Sequence, residues 1–91
     1  MILLPTFIAF NMEDGDGLAA LVESGGYTKP TKGDPVARSQ KYDNASLVEV
    51  ERHKNDNADQ CFITIHADSV QTLPKAMSEV LSDFKKLGII K

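Results

Sequence analysis

The sequence is poor in most of the features that announce a function. Its one cysteine, Cys61, excludes an intrachain disulfide and a zinc site built from a cysteine cluster, and it suits a reducing compartment. No apolar run approaches the roughly 20 residues needed to span a bilayer. The most apolar stretch, residues 1–10, has no Lys or Arg before it to form the basic start of a signal peptide. Cations are not in excess either: ten Lys and Arg stand against thirteen Asp and Glu, a net charge of −3. Phosphate binding is driven by clustered cations, so direct nucleic-acid binding is not expected. A nucleophile elbow, a phosphate-binding loop and a metal-ligand helix are all missing, and no cofactor is implied.

What remains is an ordinary soluble composition, 42% apolar and 25% charged over 91 residues. That length makes one domain, residues 1–91. The chain reads as a complete short gene product, and a cytoplasmic location is expected, the host cytoplasm if it is phage-encoded.

Residues 2–12 are rich in β-branched and aromatic side chains and are apolar on both faces, with Ile2, Leu4, Ile8 and Phe10 on one and Leu3, Phe7 and Ala9 on the other. Such a strand is usually central and covered on both sides. Asp16 can cap a short helix whose Leu18, Leu21 and Val22 form one stripe, stopped by Gly25-Gly26. Residues 25–46 show neither helical nor strand periodicity and read as a long irregular loop, which in a compact domain tends to be functional or disordered.

Two alternating runs follow, 45–54 and 60–68, joined by the polar loop 55–59. Setting Val50 opposite Ile63 and Val48 opposite Ile65 puts all four on a core face. Glu49, Glu51, Thr64 and His66, with Phe62 among them, then share the other face. The last segment is a helix: Val70, Leu73, Met77, Val80, Leu81, Phe84 and Leu87 keep helical spacing, Thr72 is its N-cap, Pro74 falls in its first turn and Gly88 ends it. Ile89 and Ile90 can begin a final strand. The predicted fold class is α+β: a ferredoxin-like split β-α-β-β-α(-β) plan, an antiparallel sheet with its first and third strands central and two helices on one face.

Asp14-Gly15-Asp16-Gly17 invites a calcium-loop reading, but Met12 would occupy the first ligand position and has no oxygen to offer. No metal site is expected, since Cys61 and His66 fall on opposite faces of one strand and three or four converging ligands cannot be assembled. Phe7-Ile8-Ala9-Phe10 followed by Asp14, Gly17, Leu18 and Leu21 resembles the first strand and turn of ACT regulatory domains. That resemblance implies an amino-acid-binding interface near Asp14 and Gly17.

The charges are sorted along the chain. Glu13, Asp14, Asp16 and Glu23 form an acidic N-terminal set, whereas Lys29, Lys32, Arg38 and Lys41 lie in the loop with Tyr27 and Tyr42. Two contact surfaces are expected: the open sheet face (Leu3, Phe7, Phe62, Glu49, Glu51, Thr64, His66) and this basic, aromatic loop. Two helices shield one side of a sheet, and apolar side chains left bare on the other forfeit roughly 1.5–3 kcal/mol each. A covering chain is therefore expected, as a homodimer or a protein partner. The expected function is non-enzymatic: a small acidic binding protein of the class of phage or mobile-element inhibitors and adaptors, such as anti-CRISPR proteins, acting on a host nucleic-acid-handling machine. The alternatives are an ACT-like small-ligand sensor and a small ferredoxin-like enzyme using His66 with a neighbouring carboxylate.

Overall fold

Alternating apolar residues in the two longest strands build the centre of the molecule. The computed structural model describes residues 6–11, 17–24, 26–54 and 56–90, with side chains from Leu18 onward. The elements in chain order are β1 (Thr6–Asn11), α1 (Gly17–Glu23), β2 (Val36–Ser39), β3 (Ala45–Lys54), β4 (Asp59–Ala67) and α2 (Leu73–Lys86). β3 and β4 pair antiparallel with Val48 opposite Ile65 and Val50 opposite Ile63, the expected register. All four side chains are fully buried. A bulge between Ala45 and Leu47 resets the alternation, so that Ala45 and Val48, three residues apart, are both buried. Ser46 in the bulge donates its hydroxyl to the His66 carbonyl at 3.0 Å.

The fold is α+β, an antiparallel sheet with two helices, and the strand order is β1-β4-β3-β2. Leu21 of α1 and Ala76, Val80 and Phe84 of α2 join Val48, Val50, Ile63 and Ile65 in one buried cluster. Both helices thus cover the same face. α2 supplies its stripe at four-residue spacing, with Leu73, Met77 and Leu81 partly buried beside it.

Several expectations are corrected. The 25–46 stretch is not an unstructured loop: it contains β2, with Ala37 opposite Val50 and Arg38 opposite Glu49. Ala37 and Ser39 are buried against β3, and it is this pairing, not local periodicity, that makes the segment a strand. Its outer edge is closed by Thr28, whose N–H donates to the Arg38 carbonyl (2.8 Å) and whose hydroxyl accepts the Arg38 N–H (2.9 Å). That covering protects the edge from further strand pairing.

Ile89 and Ile90 are buried and belong to no strand. Gly88, at φ +75°, turns the chain back: Ile89 N–H donates to the Phe84 carbonyl and Gly88 N–H to that of Lys85, the Schellman pattern. With no strand from that end, β1 pairs with β4 alone among the described residues and lies at the sheet edge, leaving β4 and β3 inside. Thr72 stands at the N-cap of α2, but its hydroxyl bonds with Ser69 instead of capping a helix N–H. Val70 precedes α2 and is 65% exposed, outside the apolar stripe.

Candidate contact face

The face of the sheet away from the helices carries Val36 and Arg38 from β2, Glu49, Glu51 and His53 from β3, and Phe62, Thr64 and His66 from β4. Alternation alone places them together, and all but the exposed His53 are half-buried. They are tied in two chains. In the first, Nε2 of His66 lies 2.8 Å from Oε1 of Glu49, and Nε of Arg38 donates to Oε2 of the same carboxylate at 3.0 Å. Arg38 also donates through its terminal nitrogen to Oδ2 of Asp34. The hydrogen bond from His66, then that from Arg38, holds the Glu49 carboxyl below the usual range against the effect of burial. Arg38 likewise holds Asp34 low and is itself raised by its two carboxylate partners. In the second chain, Nε2 of His53 lies 2.6 Å from Oε1 of Glu51, and its ring stacks on Phe62 with centroids 4.1 Å apart.

Between the two chains lies a shallow depression of 130 Å³, lined by Val36, Glu49, Glu51, Phe62 and Thr64. Four of the seven residues expected to form a contact on this face, Phe62, Glu49, Glu51 and Thr64, line it, and His66 sits beside it through Glu49. Leu3 lies outside the described residues, and of Phe7 only the backbone is described, opposite Thr64. Arg38 was expected on the loop but joins this face, because β2 brings it opposite Glu49. Among the described residues no group of three His, Cys, Asp or Glu comes together that could hold a metal ion, and no helix is long and apolar enough to cross a membrane. Cys61 is buried on the helix side, and burial pushes its thiol up to about 11.

The basic, aromatic loop is divided by the structure. Tyr27 (6% exposed) and Tyr42 (8%) belong to the core, not to an exposed stacking platform. Their hydroxyls lie 2.7 Å apart, and that of Tyr42 donates to Oδ2 of Asp83 on α2 at 2.9 Å. Nζ of Lys41 lies 3.1 Å from the same oxygen and 5.5 and 5.3 Å from the two ring centroids. Burial pushes Tyr27 up to about 12 and drives Tyr42 up further, the latter also through its bonds to Tyr27 and Asp83. Burial works against the Asp83 charge, but Lys41 and Tyr42 outweigh it and hold the carboxyl low. Lys29 and Lys32 are exposed, whereas Arg38 and Lys41 are in ion pairs.

Of the acidic set, Glu23 is exposed and Glu13, Asp14 and Asp16 lie outside the described residues. Gly17, singled out by the resemblance to ACT domains, opens α1. A groove of 420 Å³ runs beside it, lined by Leu18, Ala19, Val22, Glu23, Lys29 and Pro30. Burial of the tyrosines had one legible signal, two amphipathic rings in an otherwise polar segment; the Tyr42–Asp83 bond across 41 residues had none. Compared with known protein families, curated proteins and solved structures, the chain matches none at a significant level.

Proposed function

We propose that this chain is a small non-enzymatic binding protein that acts by laying the open face of its sheet on another protein. The ordered, half-buried face described above carries the reading. Its charged side chains are held in place by carboxylate–imidazole and carboxylate–guanidinium pairs before any partner arrives, which lowers the ordering cost of association. The aromatic Phe62 sits among them beside a depression of only 130 Å³, in keeping with a contact surface more than with a substrate cleft. The net charge of −3 favours a basic partner. A basic groove on a nucleic-acid-handling enzyme is such a partner, and occupying it is how a phage or mobile-element inhibitor of the anti-CRISPR type would act. The contiguous order β1-β4-β3, with both helices on one side, supports a split β-α-β-β-α plan of ferredoxin-like type with β2 added at its edge.

The test is affinity capture from the native source with three forms: wild type, T64R, which plants a long cation in the middle of the face, and S82R, which changes the exposed side of α2. With folding checked by circular dichroism, the same partner is expected with wild type and S82R and lost with T64R. A partner held equally by T64R sinks the proposal. Light scattering on the isolated chain shows whether that partner is a second copy.

A second reading is favoured by the groove beside α1. Its 420 Å³ is large enough for a small metabolite, and its lining begins at Leu18, the residue after Gly17, which with Asp14 is where the ACT resemblance implies an amino-acid site. Thermal shift across a metabolite panel tests it by mass action; no shift, or one that survives V22R unchanged, removes it.

A further inference from the structure

Resting on the contact-face reading, we infer that the depression between Glu49 and Glu51 is a receptor for one basic side chain, a lysine or arginine protruding from the protein partner. Its lining is suited to a cation with an aliphatic stem. The Glu49 and Glu51 carboxylates stand on the same side of β3, two residues apart, and the Thr64 hydroxyl, the Phe62 ring and the Val36 side chain complete the wall.

The size is selective. At 130 Å³ the depression has room for the end of a single side chain and not for a larger ligand. The charge is selective as well. Among the described residues the charged groups around it are Asp34, Glu49 and Glu51 against Arg38, with the imidazoles of His53 and His66 counted neutral; three negative charges less one positive leave a surplus of two negative. β1, TFIAFN, adds no ionisable residue.

The carboxylates are also not equally committed. Both oxygens of Glu49 are engaged, Oε1 with His66 and Oε2 with Arg38. Glu51 has His53 on Oε1, and among the described residues its Oε2 accepts no hydrogen bond. Glu51 is therefore the group that receives the incoming N–H. Glu49 holds the rim in place and adds field, and the apolar wall of Phe62 and Val36 takes the methylene stem, as long cationic side chains require.

The experiment titrates ¹⁵N-labelled protein with the peptide Ac-Gly-Arg-Gly-NH2 and, separately, with its citrulline counterpart, which has the same shape and no charge. The arginine peptide is expected to shift the amides of Val36, Glu51, Phe62 and Thr64, and the citrulline peptide to leave them in place. E51Q is expected to weaken the arginine peptide by about threefold or more, the scale of one half-exposed charge pair, and T64R to abolish the shifts by filling the depression from within. Equal shifts with both peptides, shifts centred elsewhere, or an undiminished response in E51Q with its circular dichroism spectrum intact would each overturn the assignment. So would a dimer of the wild type that T64R dissolves, which would give the face to a second copy. If the peptide fails but T64R still loses the captured partner, the basic-side-chain receptor falls and the contact face stands. A partner retained by T64R removes both.

Discussion

Replacing Tyr42 by phenylalanine takes one oxygen out of the middle of a buried hydrogen-bonded chain. The Tyr42 hydroxyl donates to Oδ2 of Asp83 at 2.9 Å, so the short 2.7 Å contact with Tyr27 leaves the Tyr27 hydroxyl as the donor there. Y42F therefore deprives Asp83 of one donor and leaves the Tyr27 hydroxyl, in a residue only 6% exposed, with no acceptor. Losing a hydrogen bond to a charged group costs about 1.5 kcal/mol and orphaning a buried hydroxyl about 1–2 more, so the expected loss is about 3 kcal/mol. Y27F removes only the neutral bond and leaves Tyr42 donating to Asp83; its expected cost is about 1 kcal/mol. Urea unfolding followed by far-ultraviolet circular dichroism measures both, with the slope m unchanged if only stability has moved. Equal losses in the two variants, or a Y42F loss below about 1 kcal/mol, would refute the donor order and the role of the chain in pinning the 26–42 segment to α2. The same chain makes an alkaline prediction. Burial raises Tyr27 from 10.0 to about 12. Below pH 10 the phenol is protonated in both folded and unfolded states and its contribution is complete. As the pH climbs from 10 to 12 the unfolded chain ionises while the folded one resists, so stability falls, and Y27F makes that fall shallower.

Two further substitutions probe the scaffold around the site. Gly26 sits at φ +95°, and a Cβ there would clash with Cδ of Lys41, whereas Gly88 at φ +75° has open space. G88A is expected to cost about 1 kcal/mol for the left-handed backbone alone, and G26A measurably more in the same urea assay, with K41A recovering part of the excess. In E49Q the carboxylate that joins His66 to Arg38 is lost. Because the Glu49 carboxyl is held below its ordinary value of 4.5 in the folded state, its contribution is present above that pH and is lost as the pH falls through the lowered value; acid unfolding of E49Q, followed by circular dichroism, is expected to show a flatter limb than wild type.

The β3–β4 hairpin and α2 were legible because each is announced by its own local period. Val48, Val50, Ile63 and Ile65 alternate, which specifies both strands and register, since a slip of one residue would turn every apolar side chain to water. Ala76, Val80 and Phe84 repeat every four residues and mark the buried side of a helix. The half of the candidate site that sits on these strands, Glu49, Glu51, Phe62 and Thr64, was legible for the same reason. Arg38 was not, because Val36–Ser39 is four residues long and acquires strand geometry by pairing with Val48–Glu51. The basic loop misled in the same way: Tyr27, Arg38, Lys41 and Tyr42 look like an exposed cation–aromatic set until the core takes the tyrosines, Asp83 takes Lys41 and Glu49 takes Arg38.

By itself, then, the order of the amino acids determined the α+β class, the inner hairpin with its register, and which side of it faces the helices, because hydrophobic periodicity is a local property. Only the tertiary structure decided that β1 lies at an edge, that Ile89 and Ile90 turn into the core behind Gly88, and that Glu49 is shared by an arginine and a histidine eleven and seventeen residues away. Those outcomes depend on which distant segments meet, and the energy of such meetings lies in contacts between segments, where no single stretch of sequence carries it.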